Sequence, residues 1–435
     1  MTLSFKAGTF TKQSSTGNQA VTGVGFQPKA LILFSTATTT GSFQGDFMRY
    51  TGFASSSTTS KQRFFGSYST DAADPSDAKV LVDTDGIWAD GTPSSNFTQK
   101  ATLSSFDSDG FTLNWSINNS TNYVIGYIAL GGDDVTNTNV GSGTISSGTG
   151  NKSVTGVGFQ PDLVILLFGD SSEFIGLGGW NTIGIFNSSG EQWSVSSETV
   201  DDVGTMQTNR KQRTDKCFTI SFIDGDLLIE ASFVSMDSDG FTLNFSSNPT
   251  GFDSFYIAIK GVTTKIGSIT APTAGATPTS QATTGVGFQP KGIIFSSFGN
   301  TATTSLTDHA RYSFGAVSDS SNMWCGWSGD EDAAASAVTA KRMDTDQVIR
   351  VSDEAASAAS TTTQALASLT SLDSDGFTLS WSAHDTTAYQ VVYVAFQDTA
   401  GGGPAVETER VRRSTSMLRQ LTTTRKKRYT NTSMV

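Results

Sequence analysis

One eight-residue phrase is written three times in this chain, and that repetition limits the fold more than any other feature. Val21-Thr22-Gly23-Val24-Gly25-Phe26-Gln27-Pro28 returns as Val154-Thr155-Gly156-Val157-Gly158-Phe159-Gln160-Pro161 and as Thr283-Thr284-Gly285-Val286-Gly287-Phe288-Gln289-Pro290. A second phrase, Asp107-Ser108-Asp109-Gly110-Phe111-Thr112-Leu113, recurs at Asp237–Leu243 and Asp373–Leu379. A third, Gly126-Tyr127-Ile128-Ala129-Leu130, is echoed at Phe255–Ile259 and Val392–Phe396. The phrases keep one order and a spacing of about 130 residues, which is far longer than a solenoid repeat and is the size of an independent domain. The reading is three tandem homologous domains, 1–136, 137–265 and 266–400, followed by a separate segment, 401–435.

Within each unit the pattern is that of strands. Ala30–Phe34, Leu163–Phe168 and Gly292–Phe295 are short apolar runs directly after a proline, as expected of strands buried on both faces or at a sandwich centre. Phe111, Leu113 and Trp115 alternate with polar residues, as do Phe241, Leu243 and Phe245, and Phe377, Leu379 and Trp381. The Asp-Gly before each alternating run suits a tight turn, where glycine supplies positive φ without strain. Ser55–Thr58, Asn187–Gly190 and Ser318–Ser321 read as equivalent hairpin tips. Asp85-Gly86 before Ile87-Trp88 has its apparent echo in Asp224-Gly225 before Leu227-Leu228, and in Asp344-Thr345-Asp346-Gln347 without the glycine. No long amphipathic helix is evident. The expectation is an all-β chain of three tandem β-sandwiches, jelly-roll-like, with an extended basic C-terminal arm.

Charge is divided unevenly. The chain carries a formal −12, yet residues 405–435 hold eight cations (Arg410, Arg412, Arg413, Arg419, Arg425, Lys426, Lys427 and Arg428) against Glu407 and Glu409, so an arm of +6 trails a body of −18. Gly401-Gly402-Gly403-Pro404 reads as the hinge between them. The acidic body repels nucleic acid, so the arm is expected to grip an acidic protein neighbour, with DNA a minor option. No run reaches the roughly 18–20 apolar residues of a membrane-spanning helix, and Met1-Thr2-Leu3-Ser4 opens no signal peptide. The expectation is assembly in the cytoplasm without export or membrane insertion.

Chemistry-bearing motifs are scarce. Cys217 and Cys325 make no disulfide framework and no CxxC, and the two histidines, His309 and His384, lack a nucleophile context. Phosphate-binding glycine loops are absent; Gly176-Leu177-Gly178-Gly179 is too short. Asp-Ser-Asp-Gly resembles the start of a calcium loop, which would make Asp107, Asp109, Asp237, Asp239, Asp373 and Asp375 ligands. The third acidic ligand and the distant glutamate are missing, so the aspartates are read as turn-forming. Trp180, Trp193, Trp324 and Trp327 fall near the hairpin tips of units two and three. They are candidates to stack on a host-surface glycan, the alternative being that they complete their own domain's core. No enzyme, cofactor or metal site is expected.

Taken together, the Gly-Val-Gly-Phe-Gln-Pro phrase, the apolar strand, Asp-Ser-Asp-Gly-Phe-Thr-Leu and the Tyr-Ile-Ala strand resemble a β-rich module of virion structural proteins of tailed bacteriophages. The resemblance covers residues 1–400 and not the basic arm. It implies a particle component such as a tail, collar, fibre or capsid-decoration protein, whose partners are capsid, portal or tail proteins. It carries no catalytic residues. Three homologous domains could close around a pseudo-threefold axis or run as a linear array, and the sequence does not choose between them.

Overall fold

The computed structural model describes residues 2–39, 41–92, 96–169, 174–175, 178–222, 228–301, 305–353 and 361–397. The basic arm with its eight cations lies outside them. The described residues form an all-β molecule in which each repeat is a two-sheet sandwich.

Repeat one contains β1 (Leu3–Thr11), β2 (Gly17–Thr22), β3 (Pro28–Ser35), β4 (Phe47–Ala54) and β5 (Gln62–Ser69). It continues with β6 (Ala78–Asp83), β7 (Trp88–Thr92), β8 (Asn96–Asp107), β9 (Gly110–Ile117) and β10 (Val124–Gly132). The large sheet runs β1-β10-β3-β4-β5-β6 and the small one β2-β9-β8-β7. First strand pairs with last and second with next-to-last, which gives the jelly-roll character. Phe111, Leu113 and Trp115 of β9 point inward in the predicted alternation.

Repeat two opens with β11 (Asn137–Ile145), β12 (Gly150–Thr155), β13 (Leu163–Gly169), β14 (Phe174–Ile175) and β15 (Gly179–Asn187). Its remaining strands are β16 (Gln192–Thr199), β17 (Thr208–Arg213), β18 (Phe218–Ser221), β19 (Leu228–Asp237), β20 (Gly240–Ser247) and β21 (Phe252–Lys260). Repeat three opens with β22 (Thr264–Thr270), β23 (Thr279–Thr284), β24 (Pro290–Ser297), β25 (Thr307–Asp308) and β26 (Ala310–Asp319). It closes with β27 (Asn322–Asp330), β28 (Thr339–Asp344), β29 (Ile349–Ser352), β30 (Thr363–Asp373), β31 (Gly376–Ala383) and β32 (Gln390–Gln397). Both reproduce the sheet order of repeat one.

One reading of the sequence needs correcting. The strands equivalent to β7 are β18 and β29, so Ile87 corresponds to Cys217 and Val348; their carbonyls or backbone crowd the matching glycines Gly52, Gly184 and Gly315. The Asp-Gly echo at Asp224-Gly225 therefore sits too late in the chain, and those two residues lie outside the described ones.

The three sandwiches close into a ring. Strand β11 of repeat two packs on β3, β4 and β5 of repeat one; β22 of repeat three meets β15 of repeat two; β1 of repeat one packs on β24, β26 and β27 of repeat three. Each large sheet is consequently buried on both faces. In β3, Leu31 and Leu33 face the small sheet, whereas Ala30, Ile32 and Phe34 enter a core shared by all three repeats. That explains why the run after Pro28 is apolar without alternation.

Two further sets of contacts repeat around the ring. The loop after the third strand of each repeat reaches the neighbour's large sheet: β14 pairs with Leu81 and Val80 of β6, β25 pairs with Asn209 and Arg210 of β17, and Gln44 bridges Lys341 of β28. Asp71, Asp201 and Asp332 follow β5, β16 and β27. Their carboxylates accept the first strand N–H of the adjoining repeat, from Thr339 (3.1 Å), Ala78 (2.9 Å) and Thr208 (2.8 Å) respectively. The next residue in each loop, Ala72, Asp202 and Ala333, has a φ of 58, 57 and 61°. Such left-handed backbone is unfavourable for a side chain, and here the neighbour's carbonyls of Ala337, Ser76 and Met206 hold it by accepting the N–H.

The ring depends on close approach at single glycines. A Cβ on Gly126 of β10 would lie 2.6 Å from the Trp324 ring, whose indole N–H donates to the Tyr127 carbonyl. Gly126→Val is therefore expected to destabilise the closure of repeat one on repeat three by about 1–3 kcal/mol. The check is thermal unfolding, with the melting midpoint expected to fall by several degrees; an unchanged midpoint would contradict the packing.

Candidate functional site

The two most repeated phrases turn out to be halves of one contact. The Gly-Val-Gly turn points successive backbone N–H groups at the second aspartate of Asp-Ser-Asp-Gly. Asp109 accepts from Gly23 (3.0 Å) and Gly25 (2.6 Å), Asp239 from Gly156 and Gly158, and Asp375 from Gly285 and Gly287, at the same distances. The six turn glycines have φ between 80 and 90°, and each pair forms a concave nest of donors for an anion. Gln27, Gln160 and Gln289 then donate to the carbonyls of Phe106, Met236 and Leu372.

The first aspartate of each phrase is also engaged. Asp107 accepts from Ser105 and Thr112, Asp237 from Ser235 and Thr242, and Asp373 from Ser371 and Thr378, at 2.6–2.7 Å. All six carboxylates are thus engaged by donors of their own repeat. Among the described residues no group of three or more potential metal ligands is found.

The tryptophans do not form the glycan platform that was a candidate from the sequence. Trp193, Trp324 and Trp327 are buried, with 1% or less of their surface exposed. Trp324 stacks on Phe34 (5.8 Å between centroids) in the core shared by the repeats, and Trp327 meets Phe43 of repeat one edge-on. Trp115 and Trp381 are core residues as read. Trp180 alone of the four candidates is half-buried.

At the centre of the ring, structurally equivalent positions carry three different residues. Arg49, Asn181 and Tyr312 meet there: the Arg49 guanidinium donates to Asn181 Oδ1 (2.9 Å) and lies 4.2 Å over the Tyr312 ring. Burial lowers the Arg49 pKa and raises that of the Tyr312 phenol. Two equivalents further along, Thr199 donates to Asp330. His309 Nδ1 accepts from the Asp332 N–H, and His384 Nε2 lies 3.2 Å from the Thr279 hydroxyl. Both cysteines are buried, and burial pushes their thiol pKa values up, away from nucleophilic use.

Repeat two holds an open cavity of about 590 Å³ at one end of its sandwich. Its walls are Phe168, Trp180, Phe222 and Phe252 with Ile145, Ile220 and Ile229, and its rim includes Ser146, Ser147, Thr250 and Asp253. Trp180 meets Phe168 and Phe222 edge-on at 5.9 and 5.2 Å, and Phe252 stacks on Phe218 at 4.6 Å. The Trp180 indole N–H is satisfied by Glu198. The sequence pointed only to Trp180. The signal for the rest would have been aromatic and aliphatic residues at positions where one of the sister repeats is polar.

No protein-family model matches the chain, and no curated protein is significantly similar to it.

The nests of Asp109 and Asp375 make an acid-sensitive contribution to stability. Backbone N–H donors from Gly25 and Gly23 hold the Asp109 carboxyl below the ordinary carboxylate range, and Gly287 and Gly285 do the same for Asp375. A carboxylate whose pKa is depressed by folding stabilises above its unfolded pKa of about 3.9, and the contribution disappears as pH falls through the folded value. Asp109→Asn and Asp375→Asn are expected to lower the melting midpoint at pH 7 by a few degrees and to narrow the gap from the parent protein below pH 4. Differential scanning calorimetry across pH checks this; a gap that does not narrow as pH falls would contradict it. Calcium or a chelator is expected to leave the midpoint unchanged.

Proposed function

We propose that this protein is a non-enzymatic structural component of a tailed-phage virion, an exposed decoration, collar or tail protein mounted through its basic C-terminal arm. The observation that carries the reading is a closed three-repeat body of net −18 joined to a terminal segment of +6. The repeated aspartates are consumed in holding turns, the cysteines are buried, and the histidines make local structural bonds, so the ring supplies a rigid body with few groups left for catalysis. A pseudo-trimer in one chain offers a near-symmetric surface while needing only one anchor. Gln397, the last described residue, donates its N–H to the Thr263 carbonyl in the linker between repeats two and three.

Deleting residues 401–435 should leave the ring folded and abolish incorporation into particles, read by particle purification and immunoblotting. Docking should also weaken with rising ionic strength, because an exposed cationic arm is screened by salt. Full incorporation of the truncated chain would refute the anchoring role.

A further inference from the structure

Three copies of one scaffold allow a comparison of equivalent positions. At the end of the sandwich where repeat two is open, repeat one is filled by a polar network. Lys12 bonds to Asn118 and to the carbonyls of Gln13 and Asn119 and lies over the Trp115 ring; Asp90 accepts from Tyr50 (2.6 Å) and Gln99 (2.9 Å). In repeat three, the Tyr389 hydroxyl lies 2.8 Å from Gln364 Oε1 and 3.0 Å from Asp385 Oδ2, and Arg311 reaches the same Gln364.

The strand registers align these positions. Lys12, Ile145 and Ala271 face the residues Tyr123, Phe252 and Tyr389. The pair Asp90–Gln99 corresponds to Ile220–Ile229 and to Val351–Ala365. Met48, Trp180 and Arg311 are equivalent, each one residue before the axial Arg49, Asn181 and Tyr312. Repeat two thus has Ile145, Ile220, Ile229, Phe252 and Trp180 where one sister or the other carries Lys12, Asp90, Gln99, Tyr389 or Arg311, and these apolar side chains wall a cavity.

We propose that this cavity in repeat two is a binding site for a small, largely apolar ligand bearing a cationic head. Its size falls in the range of about 300–1,000 Å³ typical of small-molecule sites, and apolar walls with few polar groups are the usual composition. The charge preference comes from Asp253 on the rim, whose carboxylate makes no hydrogen bond or ion pair to any described residue, within a body that is itself acidic. A polyhydroxylated sugar would need more hydrogen-bonding groups than this lining provides. An anion would be repelled. The site is independent of where the protein is mounted, so it stands or falls separately from the virion reading.

The test uses the full chain and three probes of one shape, 2-naphthylmethylamine, 2-naphthalenemethanol and 2-naphthoate, titrated calorimetrically, with methyl glucoside as a fourth. The expected order is amine, then alcohol, with the carboxylate and the glucoside weakest. Asp253→Asn should reduce amine affinity roughly three- to fivefold and leave the alcohol unchanged, as for a partly solvated ion pair. Trp180→Met installs the side chain that repeat one carries at this position, so it is compatible with the scaffold, and it should weaken both probes at least about tenfold. An unchanged melting midpoint for each variant verifies that the fold is intact. Absence of saturable binding, tighter binding of the glucoside or carboxylate, or affinities insensitive to both substitutions would overturn the proposal.

Discussion

The structure depends on one shared hydrophobic core at the centre of the ring. Each large sheet buries a second face there, so apolar residues that would otherwise be exposed, Ile32 and Phe34 in repeat one and Ile294 in repeat three, enter a common interior. Burial at roughly 25 cal/mol per Å² makes such a second face a major contribution, and it is available only when all three repeats are present. The loops that cross between repeats follow from it. Once the sheets are pressed together, the edges β6, β17 and β28 face a neighbour, and unpaired edge groups find partners in the adjoining repeat.

Symmetry of frame and asymmetry of filling coexist in this molecule. The backbone devices are reproduced around the ring: nested aspartates, left-handed loop residues, strand-capping Asp71, Asp201 and Asp332. The side chains between them differ. Polar contacts that link neighbours read Lys61 to Asn139 in one seam and Lys265 to Glu191 in another, while in the third Lys6 and Asp319 line one hollow. Such differences give each seam its own preferred partner, which favours closure within one chain over exchange with another copy. The Arg49, Asn181 and Tyr312 cluster is asymmetric in the same way at the centre, with one guanidinium placed against one amide oxygen and one ring.

Much of this was legible in the sequence, for identifiable reasons. Period-two alternation at Phe111, Leu113 and Trp115 and the turn chemistry of Asp109-Gly110 are local signals, so fold class and repeat number could be read directly. The non-alternating run at Ala30–Phe34 announced double burial without saying what would cover the second face. Relations between repeats were illegible because they are long-range. Nothing near Trp324 in the chain indicates that it will stack on Phe34, and nothing near Asp109 indicates that its carboxylate belongs in the Gly23–Gly25 turn. The cavity of repeat two was hidden for a different reason: its meaning lies in what Ile145, Ile220 and Trp180 replace, and that requires the register of all three sandwiches.

The seam between Phe5 and Phe396, whose rings lie 5.1 Å apart, joins the two ends of the described chain. During synthesis the first sandwich can pair its own strands long before its partner across this seam has left the ribosome. Until β24 and β32 arrive, the Phe5 face of β1 is an uncovered sticky surface, and a second nascent chain offers the same face. Correct maturation is then a race between ring closure within one polypeptide and capture by another, which makes the last third of translation the vulnerable interval for this protein.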